Sequence, residues 1–192
     1  MRRDPFGPVS EAGPGRLFIL SGPIHSGKTT FLQELCAEAE RRGRRIEGYL
    51  SPAVWEGRRR VGYDLWDIRR GTRHPFLRTE GKTGGPRTGK YFLIPETLDR
   101  AREIIRSAAG TGVLVVDELG SLELDGGGVW PAFEAVMDRP PDRMLLVIRD
   151  SLLDPFRRRI RGGDSARLLE VGERNVLSEI LAGWAGEAGP GV

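Results

Sequence analysis

The chain has 192 residues, with 30 Lys plus Arg against 27 Asp plus Glu and a formal net charge of +3. That length suits one domain with one continuous core, and the near balance of charge argues against a surface given over to nucleic acid. No run of about 18 apolar residues occurs, which excludes a membrane-spanning helix and makes the cytoplasm the simplest compartment.

Residues 1–15 are rich in Pro and Gly and lack the long apolar segment of a secretory signal, so they are expected to form a flexible tail. A single domain is expected over 16–185, with 186–192 as a second tail. Leu17-Phe18-Ile19-Leu20 reads as a strand, and Phe31, Leu32, Leu35, Cys36 and Ala39 keep helical spacing after it. Between them lies Gly22-Pro23-Ile24-His25-Ser26-Gly27-Lys28-Thr29, a phosphate-loop pattern in the strand-before, helix-after setting that such a loop requires. Its backbone N–H groups and the positive end of the helix can converge on a polyphosphate, while the Lys28 ammonium reaches the β- and γ-phosphoryl oxygens. Thr29 would supply a hydroxyl to Mg²⁺. The nucleotide-contacting stretch is expected to comprise Gly22, Pro23, Ile24, His25, Ser26, Gly27, Lys28, Thr29 and Thr30. His25 stands where many such loops carry glycine, and is either a phosphate contact or a partly exposed loop residue. Cys36, the only cysteine, falls on the apolar face of the helix and reads as a buried structural thiol.

Arg45 to Ser51 reads as a short strand ending at Pro52 and followed by a polar turn. From Arg59 to Ile68 the residues alternate, with Val61, Tyr63 and Leu65 on one side, which predicts a hairpin or small antiparallel extension. The glycine-rich segment 79–88 is expected to be a mobile loop. Gly89 to Ile94 reads as a strand, and Pro95 opens a helix carrying Leu98, Ala101, Ile104, Ile105 and Ala108 on one face.

Val113 to Val116 is apolar on both faces, as a buried parallel strand should be, and it ends in Asp117-Glu118. Ligands collect at the carboxyl ends of parallel strands, so Asp117 is placed to hold Mg²⁺ directly or through water. Glu118 points the other way along an extended chain and can orient an attacking water and accept its proton. Asp117, Glu118, Leu119 and Gly120 form the second expected nucleotide-contacting stretch. Glu123 is either a group binding water or a basic loop near the site, or a solvated or helix-start acid.

Two further strands are expected at Met144 to Ile148 and Arg167 to Val171, with a helix from Leu152 to Arg161 between them and a last helix from near Glu173. Arg149 and Arg174 are candidate cations for phosphoryl charge, with a structural ion pair or solvent exposure as the alternative for each. The arginine-dense stretches 41–45, 58–60 and 157–161 read as solvated helix ends and hairpin rims, or else as contacts for nucleic acid or an acidic partner. Strands alternating with helices predict an α/β fold with a predominantly parallel sheet.

With these pieces in order, the chain resembles the P-loop nucleoside-triphosphatase family of thermophilic bacteria and archaea, relatives of the cancer-related nucleoside-triphosphatase of animals. The resemblance runs from Leu17 to Leu181, and is carried beyond the phosphate loop by Glu47-Gly48-Tyr49-Leu50-Ser51-Pro52, the segment Gly57 to Leu65, Gly89-Lys90-Tyr91 and the segment Asp117 to Leu124. It implies a RecA-like core and Mg²⁺-dependent hydrolysis of ATP, GTP and other nucleoside triphosphates to diphosphate and phosphate, tolerant of the base. It also implies Lys28 and Glu118 as catalytic residues, with Arg174 as the candidate arginine and Thr29 and Asp117 on the metal. His25 replaces a glycine, Ser121 stands where lysine is frequent, and the family's Asn-Arg-Asp is here Glu173-Arg174-Asn175, an altered corner that implies slow turnover. Two other functions use the same parts: a nucleotide or small-molecule kinase, and a nucleotide-gated module binding RNA or protein.

Overall fold

The computed structural model describes residues 16–23, 26–80, 84–171 and 180–181. Ile24, His25, Arg174 and both expected tails lie outside the described residues. Five parallel strands build the centre: β1 (Leu17–Ser21), β2 (Ile46–Leu50), and, further along the chain, β8 (Val113–Leu119), β9 (Arg143–Ile148) and β10 (Arg167–Glu170), in the order β10-β1-β9-β8-β2. Helix α1 (Lys28–Arg41) returns the chain from β1 to β2.

Side chains of these strands alternate between two cores, which is why their sequences are apolar without interruption. Phe18, Leu20, Val113, Val115, Leu145 and Val147 pack with Leu32, Leu35 and Ala39 of α1. Leu17, Ile19, Leu114, Val116, Leu146 and Ile148 face the opposite core, shared with α2 (Pro95–Ser107), α4 (Trp130–Val136) and α5 (Leu153–Arg159). Pro95 occupies the first turn of α2, where its missing N–H costs nothing. Cys36 packs against the α1 side of the sheet, and burial pushes its thiol up to about 12, so it is an inert structural group.

Beyond β2 the sheet changes direction. β4 (Arg59–Asp67) pairs antiparallel with β2, and then with β3 (Ala53–Glu56) on one hairpin and β5 (Arg73–Arg78) on another. β7 (Tyr91–Leu93) and the two-residue β6 (Arg87–Thr88) complete this edge. The polar turn expected after Pro52 is therefore mostly a strand, since only Gly57 and Arg58 turn. β5 has no counterpart in the sequence reading because Pro75 interrupts it; the register shift between Tyr63 and Asp64 admits a residue with no N–H. Gly89 and Lys90 form the turn between β6 and β7, so the strand expected over 89–94 shortens to its centre. The loop expected over 79–88 gives up Arg87 and Thr88 to β6, and 81–83 lie outside the described residues. α3 (Ser121–Leu124) and α4 are additions to the expected elements, and one 3₁₀ turn at Asp150–Leu152 precedes α5. Ile180 and Leu181 are helical and buried; the expected start of that helix lies outside the described residues.

Gly48 joins β2 to β8 at a point where no side chain fits. Its φ is +121°, and a Cβ there would stand 1.9 Å from the Val115 carbonyl oxygen. Gly48→Ala is therefore expected to destabilise the fold by about 3 kcal/mol or more, because β2 must separate from β8. Gly57 also has positive φ, +59°, but nothing lies within 4 Å of its Cβ position, so Gly57→Asn serves as the control. Urea denaturation reads the difference, and equal midpoints for the two variants would contradict the close-approach account of Gly48.

Candidate active site

The site forms where β1, β2, β8 and β9 end side by side. Ser21, the last residue of β1, donates its hydroxyl to the Ile148 carbonyl at 3.0 Å and to Asp150 Oδ1 at 2.7 Å, which ties the entry of the phosphate loop to the end of β9. Gly22 and Gly27 bracket the loop with φ of +150° and +88°. Gly27 caps α1 without a side-chain hydrogen bond, and the first turn carries no acid, so the helix presents its positive end uncompensated.

Lys28 opens α1 and is only 8% exposed. Its ammonium donates to the Gly22 carbonyl at 2.7 Å and the Pro23 carbonyl at 2.6 Å, with Ser26 Oγ at 3.4 Å. Thr29 Oγ1 donates to Asp117 Oδ2 at 3.1 Å across 88 positions of sequence. The same carboxylate oxygen accepts the Ser51 N–H at 3.1 Å, while the Ser51 hydroxyl donates to the Asp117 backbone carbonyl. Burial raises Asp117 from an ordinary 3.8 to about 6, against the lowering effect of the Ser51 and Thr29 donors. Two hard oxygen donors side by side, one a buried carboxylate short of a cation, suit Mg²⁺, which takes one or two protein oxygens and completes its shell with phosphate and water.

Glu118, the next residue, lies beside Arg149, which follows β9. Arg149 Nε and Nη2 both stand 2.6 Å from Glu118 Oε1. Leu119 pairs with Ile148 after a register shift that begins past Val116, and this brings Glu118 and Arg149, which flank that pair, together. Of the two candidate arginines, the described residues bring Arg149 to the site.

Other expected site residues hold internal contacts or face solvent. Leu119 is fully buried in the core, and the Gly120 N–H is bound by Glu123 Oε2 at 2.9 Å while Gly120 borders the cavity beside Asp117 and Glu118. Thr30 lies on the exposed side of α1. Glu123 is a buried helix-start acid, its second oxygen accepting the Val129 N–H at 3.2 Å; burial raises its pKa, and it braces α3 against the start of α4. Ser21 and Ser51 are structural members of the site that sequence reasoning missed. Each is the last or next residue of a strand, and only the strand order shows which partner it meets.

The arginine-dense stretches make internal contacts. Arg41 and Arg42 pair with Glu38, Arg59 with Glu56 and Glu80, and Arg159 donates to the Leu124 carbonyl over the Trp130 ring. No described helix is long and apolar enough to cross a membrane.

The sequence model of a family described as NTPase matches residues 17–181. A nucleoside-triphosphatase THEP1 of Methanopyrus kandleri is 35% identical over 121 residues, covering 62% of this chain and 66% of that protein. One of Thermofilum pendens is 34% identical over 123 residues, covering 63% and 67%. The aligned segments thus span about two thirds of each relative. The fold is similar to that of a human cancer-related nucleoside triphosphatase solved in solution, with a TM-score of 0.66 and 24% identity over 86% of this chain and 95% of that one.

The raised Asp117 makes stability depend on pH with a definite sign. In metal-free protein the folded state binds more protons at this group than the unfolded chain does between pH 3.8 and about 6. Its contribution is therefore most favourable below that window and is lost as pH rises through it. With a chelator present, Asp117→Asn is expected to flatten the decline and to exceed the parent protein at neutral pH by about 2 kcal/mol. Denaturant titrations across the window check this, and a variant less stable at neutral pH with an unchanged slope would contradict it.

Proposed function

This chain belongs to the NTPase family, and on that footing we propose that it hydrolyses nucleoside triphosphates to the diphosphate and phosphate with Mg²⁺. The observation that carries the reading is the 3.1 Å contact between Thr29 Oγ1 and Asp117 Oδ2, made beside a phosphate loop and next to Glu118. Loop N–H groups and the α1 N-terminus bind the polyphosphate, with Gly22, Pro23, Ile24, His25, Ser26, Gly27 and Thr30 around it. Lys28 leaves the Gly22 and Pro23 carbonyls for the β- and γ-phosphoryl oxygens. Thr29 and Asp117 hold Mg²⁺, which when bound neutralises charge on those oxygens.

Glu118 takes the water. Both Arg149 contacts fall on Oε1, which leaves Oε2 to orient the water and accept its proton. The water oxygen forms a bond to the γ-phosphorus as the bond to the β,γ-bridging oxygen breaks. Arg149 keeps Glu118 in place, and Arg174 is the further candidate for phosphoryl charge. The binding energy rests on phosphates rather than on a base, so ATP and GTP are used alike, within about tenfold in kcat/KM. With its arginine corner altered the enzyme is slow, and it works in the cytoplasm, where its substrates are.

Glu118→Gln is expected to keep Mg·ATP binding while losing at least about a hundredfold in phosphate release, because the amide preserves shape and removes the base. Lys28→Ala is expected to lose both. Calorimetric binding and a continuous phosphate assay separate the two effects. Unchanged release in either variant, or equal loss of binding in both, would overturn these roles.

A further inference from the structure

Beside the Thr29–Asp117 pair lies a cavity of about 280 Å³ that reaches from the proposed metal and water positions to the antiparallel extension. Among the described residues of the phosphate loop, Thr29 borders the cavity, which meets the loop at the proposed reacting end. One wall is the chemical one, with Asp117, Glu118 and Arg149. The other comes from the antiparallel extension and includes Tyr63, Phe76, Leu77, Tyr91 and Leu93 together with Thr88, Gly89 and Lys90.

That second wall carries aromatic and aliphatic side chains, and its two tyrosine rings are held in place. Tyr63 and Tyr91 meet edge to face with centroids 5.3 Å apart. Arg60 fixes both, donating to the Tyr91 hydroxyl at 3.0 Å and lying 5.2 Å from the Tyr63 ring. Aromatic surface facing a few convergent polar groups is the make-up of a small-molecule site. The charged residues around it have partners: Glu118 with Arg149, Glu123 with two backbone N–H groups, and Lys90 5.3 Å from the Tyr91 ring. An uncharged occupant fits this balance better than an anion.

We propose that this cavity binds a small uncharged ring alcohol, whose hydroxyl lies beside Glu118 and receives the γ-phosphoryl group in place of water. The proposal rests on the nucleotide and Glu118 roles given above. The hydroxyl oxygen bonds to the γ-phosphorus, the bond from that phosphorus to the β,γ-bridging oxygen breaks, and the hydroxyl proton passes to Glu118. The products are a phosphate monoester and the nucleoside diphosphate.

The full chain is incubated with Mg²⁺ and γ-labelled ATP, alone and with benzyl, phenethyl or nicotinyl alcohol at millimolar concentration, glycerol serving as the ringless control. Labelled monoester is expected from at least one ring alcohol and at most a trace from glycerol. Tyr91→Ala and the cavity-filling Leu77→Trp, each checked for cooperative thermal unfolding, are expected to reduce monoester by at least about tenfold while leaving acceptor-free phosphate release within about twofold. Phosphate release that none of the alcohols diverts into monoester would overturn the acceptor site and leave the hydrolase reading standing. Monoester without acceptor-free release would uphold the site and overturn hydrolysis. Neither product would overturn both, and equal monoester from the variants would place the acceptor outside this cavity.

Discussion

A carboxylate buried at the end of β8 has to find donors or a cation, and Asp117 meets that demand by drawing three distant segments together. Thr29 comes from the first turn of α1, Ser51 from the end of β2, and Asp117 from the middle of the sheet. Taking the charge out of water is costly, and two neutral donors compensate it only in part, as the upward shift to about 6 records. The nearby Lys28 ammonium also favours the charged carboxylate, and a divalent cation on Asp117 would act in the same direction. The rest of the arrangement follows from strand order, because β8 lies between β2 and β9 and each neighbour delivers one contact: Ser51 to Asp117 and Arg149 to Glu118.

The sheet has two different tasks on its two sides of β2. Its parallel half is buried on both faces and ends in a row of loops at one edge, which gives the chemical groups a rigid base. Its antiparallel half bends around that row and supplies aromatic surface in front of Glu118. Gly48 lies at the join, where β2 pairs with β8 so closely that its residue must lack a side chain.

How much of this could be read in the sequence depended on how local each feature is. Lys28, Thr29, Asp117 and Glu118 were legible because the phosphate loop and the strand-ending acids are short patterns with a chemical reason for their spacing. The parallel strands were legible from their continuous apolar runs, and the Arg59–Asp67 strand from its alternation. β3 and β5 were hidden by Pro52 and by Pro75, residues that normally end strands. α3 and α4 are only 4 and 7 residues long and are separated by Gly126-Gly127-Gly128, so neither shows enough helical spacing to be seen. The partners of Glu118 and Glu123 could not be read at all, since they are decided by which chain ends become neighbours. Arg149 was a candidate only because it ends a strand; the sheet order decided which acid it meets.

The resting state of Lys28 bears on how a cycle ends. Its ammonium donates to two loop carbonyls, so under the proposed function binding a phosphate would exchange one set of hydrogen bonds for another. Those carbonyls compete with the product for the same three protons. Under the proposed hydrolysis, that competition would favour release of the product.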